Sequence, residues 1–195
     1  MKLFRRLYDW VIHWSGTPYA VPALAMLSFA ESSFFPVPPD VLLITMALSL
    51  RKKAFKFALI ATLFSVIGGI LGYFIGYSLY ELVGIKIVQF YHGEATMEKI
   101  RMLYDNYGFI GVLIAAITPI PYKVFTIASG VFEFSLIQFM AASVIGRSIR
   151  FFLVAGLIWK FGEPITNFID KYFNWLSIAF AVLLVGGFLV LGNVF

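Results

Sequence analysis

The chain has no cysteine and little charge: Asp, Glu, Lys and Arg together make up 13% of its 195 residues. The first absence excludes disulfides, thiolate metal sites and cysteine nucleophiles together. The second sets the chain apart from soluble domains, where about a quarter of residues are charged. Hydrophobic residues reach 61%, and a fold of this size cannot hide so much apolar surface from water, so an all-α integral membrane protein is expected. Histidine is scarce as well. His13 and His92 lie far apart in polar-flanked segments, neither with a partner at metal-ligand spacing. No metal, other cofactor or nucleic-acid partner is expected.

What is present is a series of apolar segments interrupted by proline. The N-terminal "MKLFRRLYDWVIHW" is not a signal peptide, because Tyr8, Asp9, Trp10 and His13 interrupt any apolar core. As a helix over 1–16 it places Leu3, Leu7, Trp10, Val11 and Trp14 on one side and Lys2, Arg5, Arg6, Asp9 and His13 on the other. That pattern suits a membrane interface. A single helix over the apolar stretch 17–50 would rise about 50 Å, against a hydrocarbon thickness of about 30 Å. Pro36, Pro38 and Pro39 break it, since proline removes backbone donors and turns the preceding residue away from helical geometry. Two short spans or a re-entrant hairpin follow, with arms near 19–33 and 41–49. The flanking "KLFRR" and "RKKAFK" keep both ends on the cytoplasmic side.

A full crossing is expected over 57–84, with Ala61, Ser65, Gly68, Gly69, Gly72 and Gly76 forming a small-residue stripe that lets another helix approach. Such a stripe serves intrachain packing or a homodimer. Residues 86–107 read as an outer amphipathic segment. The plan then repeats: 108–132 is apolar with a break at Pro119 and Pro121, and 136–162 is a second crossing. Pairing Pro36 with Pro119 and Pro38 with Pro121 sets Asp40 opposite Lys123, and Gly68 matches Gly146 at a shorter offset. One crossing after each hairpin makes the repeat inverted, as in many secondary transporters. A C-terminal transmembrane helix over 173–195 completes the chain beyond the membrane domain at 17–162. Nine basic residues, among them Arg51, Lys52, Lys53, Lys56 and Lys160, fall on the proposed cytoplasmic side, while Lys86, Lys99 and Arg101 fall outside.

Five charges remain within apolar surroundings: Glu31, Asp40, Lys123, Arg147 and Arg150. Each would cost about 2.5–3.5 kcal/mol alone at a helix centre, which drives such residues to share a cavity or pair. Arg147 and Arg150 are three apart and so lie on one helix face. Which acid pairs with which base is open. Three cations against two carboxylates leave an excess positive charge, which a bound anion would balance. Arginine's planar fork matches phosphate, and broken helices can aim backbone donors at the same anion. Apolar surroundings favour a lipid phosphate over a soluble nucleotide. Glu31 and Asp40 could also carry protons, and Ser32, Ser33, Thr118 and Thr126 could donate hydrogen bonds, although membrane hydroxyls more often bond their own backbone.

These stretches, "FAESSFFPVPPDVLL", "TPIPYKVFTIASGVF" and "GRSIRF", resemble the DedA family, also called the VTT or SNARE-associated Golgi family, in its YqaA-like bacterial branch. The resemblance covers roughly 22–160. It implies paired re-entrant hairpins, residence in the bacterial inner membrane, where the basic clusters set the N-terminus on the cytoplasmic side, and transport of undecaprenyl phosphate or a phospholipid. It also matches Glu31, and approximately Asp40, to the acidic positions of the first hairpin. Where the better-studied branch carries "RFxPxxR", Ala116 replaces the first arginine and Lys123 stands at or one position beyond the second.

The expected function is therefore a lipid-phosphate transporter or flippase, with Lys123, Arg147 and Arg150 holding the phosphate and Glu31 and Asp40 balancing charge or coupling protons. A non-catalytic scaffold predicts the same charges locked into closed pairs. An enzyme is not expected, because two carboxylates without a nucleophile or metal pattern offer no chemistry.

Overall fold

The computed structural model describes residues 19–35, 37–92, 94–118 and 120–162. The helices expected over 1–16 and 173–195, and the breaker residues Pro36 and Pro119, lie outside the described residues. Regular structure among the described residues is helical. In chain order it comprises α1 (Ala20–Ser33), α2 (Asp40–Ser49), a 3-10 turn (Arg51–Lys53), α3 (Ala54–Leu79), a π-helical turn (Tyr80–Gly84), α4 (Ile85–Phe90), α5 (Glu94–Ile117), α6 (Tyr122–Val131) and α7 (Leu136–Phe161).

The prolines account for the interruptions. After Ser33 the amides of Phe34 and Phe35 both turn back to the Ala30 carbonyl, and Pro38 and Pro39 have no amide with which to continue the ladder. Pro39 then stands at the N-terminal boundary of α2 without a side-chain cap, its carbonyl accepting from Leu43. Asp40 occupies the first turn, where a carboxylate complements the positive helix end. Pro121 stands at the same place before α6. α2 and α6 each have 10 residues and α3 and α7 each have 26, so the lengths repeat along with the prolines.

Among the described residues three helices are long and apolar enough to cross a membrane: Arg51–Phe90, Glu94–Ile117 and Leu136–Phe161. The first two differ from the elements that polarity suggests. The polar composition of 86–107 predicts a separate outer segment, but the helix entered at Arg51 runs on through Gly84 for 40 residues, to Phe90. The chain reverses at Tyr91 and His92, the latter at φ 51°. α5 then continues past Gly108 to Ile117. A glycine costs a helix interior only about 1 kcal/mol, and Gly108 is seated against the Phe134 ring.

α3 is the hub onto which α1, α6 and α7 pack. Its glycines set the distances. A Cβ on Gly68 would fall onto the Phe29 carbonyl of α1, and one on Gly76 onto the Ile127 carbonyl of α6. Gly72 fits against Thr126, and Gly69 against Tyr122 and Phe139. All four glycines of the small-residue stripe are thus occupied within the chain. Gly146 on α7 lies against Leu113 and Ala116 of α5, as its counterpart Gly68 lies against α1. Two apolar clusters result. One joins α1, α2, the start of α3 and the end of α7 through Leu24, Leu43, Met46, Ala58, Phe151 and Ala155. The other joins the far half of α3 to α5, α6 and the start of α7 through Tyr73, Val112, Tyr122, Phe134 and Phe139. Polar residues lie between them: Ser65 on α3 and Arg147 on α7 each separate residues of one cluster from residues of the other.

Candidate functional site

All five interior charges sit at this junction, around the two breaks. Arg147 is 2% exposed and donates from Nη2 to Glu31 Oε2 at 2.7 Å. Its Nε donates to Ser65 Oγ at 2.5 Å. Ser65 and Ser32 hydroxyls lie 2.6 Å apart, and Ser32 donates to the same Glu31 oxygen at 3.2 Å. Because a guanidinium can only donate, Ser65 accepts from Arg147, and because the Ser32 hydroxyl donates to Glu31, the Ser65 hydroxyl donates to Ser32. The result is a closed ring from Arg147 through two serines to Glu31 and back. The guanidinium carbon also lies 4.9 Å from the Tyr122 ring centroid and 4.7 Å from that of Phe151, so aromatic faces occupy directions left open by the hydrogen bonds.

Arg150, one turn further along α7, is held differently. It grips Asp40 with two parallel bonds, Nε to Oδ1 at 3.2 Å and Nη2 to Oδ2 at 2.8 Å, and donates from Nη1 to the Thr118 carbonyl at 2.6 Å. Both side chains of this pair are 19% exposed. Lys123 donates to the Phe35 carbonyl at 3.2 Å. Phe35 and Thr118 lie just beyond the ends of α1 and α5, where carbonyls lose their helical partners and the dipole is negative. A cation from another element satisfies each one. Lys123 of the second break caps the first, and Arg150 ties Asp40 of the first break to Thr118 of the second.

The hydroxyls divide accordingly. Ser33 and Thr118 bond the carbonyls of Phe29 and Ile114 in their own helices, whereas Thr126 reaches the Ser32 carbonyl at 3.1 Å, as well as its own Lys123 carbonyl. The parts that sequence reasoning missed are the acceptor role of Ser65, the aromatic clamp of Tyr122 and Phe151, and the two carbonyls. Ser65 alone carried a signal, as the one hydroxyl in a stripe of alanine and glycine. The N-terminal turns of α2 and α6 have no side-chain cap, so each break also presents backbone donors.

The family model for the VTT domain matches residues 37–160, which include four of the five interior charges and both uncapped helix starts. The chain belongs to the VTT domain, or DedA, family. This VTT-domain protein is 38% identical over 193 residues to an uncharacterized protein of Haemophilus influenzae, covering 99% of this chain and all of the relative. It is 35% identical over 187 residues to one of Histophilus somni, covering 94% and 97% of the two chains. An uncharacterized protein of the archaeon Methanocaldococcus jannaschii is 28% identical over 133 residues, 68% of this chain and 79% of its own. No solved structure matches significantly. With three long apolar helices among the described residues, the chain is a VTT-family membrane protein.

Proposed function

We propose that this VTT-domain protein carries a lipid with an anionic phosphate headgroup, an undecaprenyl phosphate or a phospholipid, across the bacterial inner membrane. The observation that carries the reading is Arg150. It holds a carboxylate through a two-pronged grip that a phosphate could take over, in a pair that is partly open at 19% exposure, next to uncapped helix starts. Lys123 supplies the excess positive charge: among the described residues its hydrogen-bond partner is a neutral carbonyl. Arg147, buried and held by its ring and its aromatic clamp, acts as the fixed post between the halves rather than as a phosphate ligand. No covalent step is needed.

The proposal takes the α1–α2 pair and residues 108–132, the last part of α5 with α6, as re-entrant hairpins entering from opposite faces, with the N-terminus cytoplasmic. Matched lengths, matched prolines and the equivalent seats of Gly68 and Gly146 support it. Because its glycine stripe is used internally, a homodimer would meet through the apolar outer faces. Protonation of Asp40 or Glu31 would release an arginine, and this is the coupling we assign to a proton gradient.

Reconstituted vesicles test the reading. Arg150→Ala should lower lipid-phosphate flux by about tenfold or more, the scale of a lost charge-assisted contact, while Lys99→Ala should leave it unchanged. Equal flux with and without Arg150 overturns the anion site. Glu31→Gln should weaken the response to a pH gradient. The closed pairing of both arginines favours a second reading, a scaffold whose charges only hold the breaks together. It predicts no flux of any lipid by the unaltered protein.

A further inference from the structure

The end of the bundle where α2 leads into α3 and α7 finishes is built differently from a merely basic rim. Arg51, Lys52, Lys53, Lys56 and Lys160 are all exposed there. The ion pairs among the described residues are Arg101 with Glu133, Arg147 with Glu31 and Arg150 with Asp40, so none of these five cations has an acidic partner among them. Two of the elements are locked together. Gly162 ends α7 at φ +64°, and the Arg51 guanidinium occupies the space where a side chain at Gly162 would stand.

Directly below the cations the surface becomes aromatic. Phe55 lies 6.2 Å from the Phe152 ring and 5.9 Å from that of Trp159, facing Gly156 across the α3–α7 seam. Phe55 and Trp159 remain 41% and 55% exposed. Further toward the middle of the bundle, Leu59 and Leu63 on α3 and Leu153 and Leu157 on α7 are exposed as well.

We infer that this seam holds a resident anionic phospholipid, its phosphate at the Arg51–Lys53 turn and Lys56, its glycerol level at Phe55 and Trp159, and its chains along the exposed leucines. Stacked zones of cation, ring and aliphatic side chain reproduce the order of headgroup, interface and tail. A soluble polyanion would use the first zone and leave the other two without purpose. This lipid is distinct from the transported one, because its site lies at the end of α3 rather than at the junction around Arg147, and the inference does not rest on the transport reading.

The test is native mass spectrometry of the full chain purified with equimolar phosphatidylglycerol and phosphatidylcholine. The unaltered protein should retain phosphatidylglycerol preferentially. The triple variant Lys52→Gln, Lys53→Gln, Lys56→Gln should lose about fivefold in retention per lysine, the equilibrium equivalent of about 1 kcal/mol per charge near an anionic surface. The corresponding arginine triple and Lys86→Gln with Lys99→Gln should each retain it. No headgroup preference in the unaltered protein, or an unchanged triple variant, overturns the inference. Should the glutamine triple fail to fold by circular dichroism, Trp159 fluorescence decides in a chain with Trp10, Trp14 and Trp175 changed to Phe. Brominated phosphatidylglycerol must quench it more than brominated phosphatidylcholine at equal mole fraction, and equal quenching rejects the site. Displacement of the bound lipid by inorganic polyphosphate with no change in Trp159 quenching would reassign the cations to a soluble anion and reject it as well.

Discussion

Removing the Arg147 guanidinium would leave Glu31 facing two serines with no opposing charge. Breaking a buried pair from one side costs about 3–5 kcal/mol, much of it the penalty of the charge left behind. Arg147→Met and Glu31→Gln should each destabilise the protein on that scale. The double variant should lose clearly less than the sum, and thermal unfolding in detergent is the measurement. Additive losses would show that the ring is not a unit. Lys123→Met removes one bond to a carbonyl and should cost about 1 kcal/mol. The sequence marks these residues plainly, because a charge inside a long apolar run must find company. It does not distinguish Arg147 from Arg150. Their difference depends on how α7 is rotated: one guanidinium points between Tyr122 and Phe151 and the other toward the Thr118 carbonyl, and both partners come from distant elements.

At the scale of elements, α3 is where close approach is most demanding. Gly76 has the Ile127 carbonyl where a methyl would go, while Gly111 has nothing nearer than the Phe125 ring at 3.6 Å. Gly76→Ala should force α3 and α6 apart and lower stability by about 1–3 kcal/mol, whereas Gly111→Ala should be neutral or slightly stabilising through helix propensity. Equal melting temperatures for the two variants would refute the packing argument. The ends of these elements away from Arg51 are clasped by Arg101, which pairs with Glu133 in the α6–α7 turn and lies 5.8 Å over the Tyr80 ring. Breaks at proline were legible because the missing amide is a local property. The boundary near Gly84 was not, since Lys86, Glu94 and Glu98 suit a surface helix and an over-long span equally well. Only the neighbours of α4 and α5 decide between them.

For the whole molecule, the absence of cysteine allows single introduced thiols to report topology directly. Lys53→Cys and Lys99→Cys flank the first candidate span, at its beginning and beyond its end. They should be labelled by an impermeant maleimide from opposite sides of oriented vesicles, and labelling from one side would refute the crossing. The 40 residues from Arg51 to Phe90 also have a mechanical consequence. Such a rod is about 60 Å long, twice the thickness of the oily layer, so it works as a pointer. A swing of about 10° pivoting at its basic end would carry the Phe90 tip about 10 Å sideways, and spin labels at Phe90 and at the Leu136 start of α7 would register rearrangements too small to see at the junction itself.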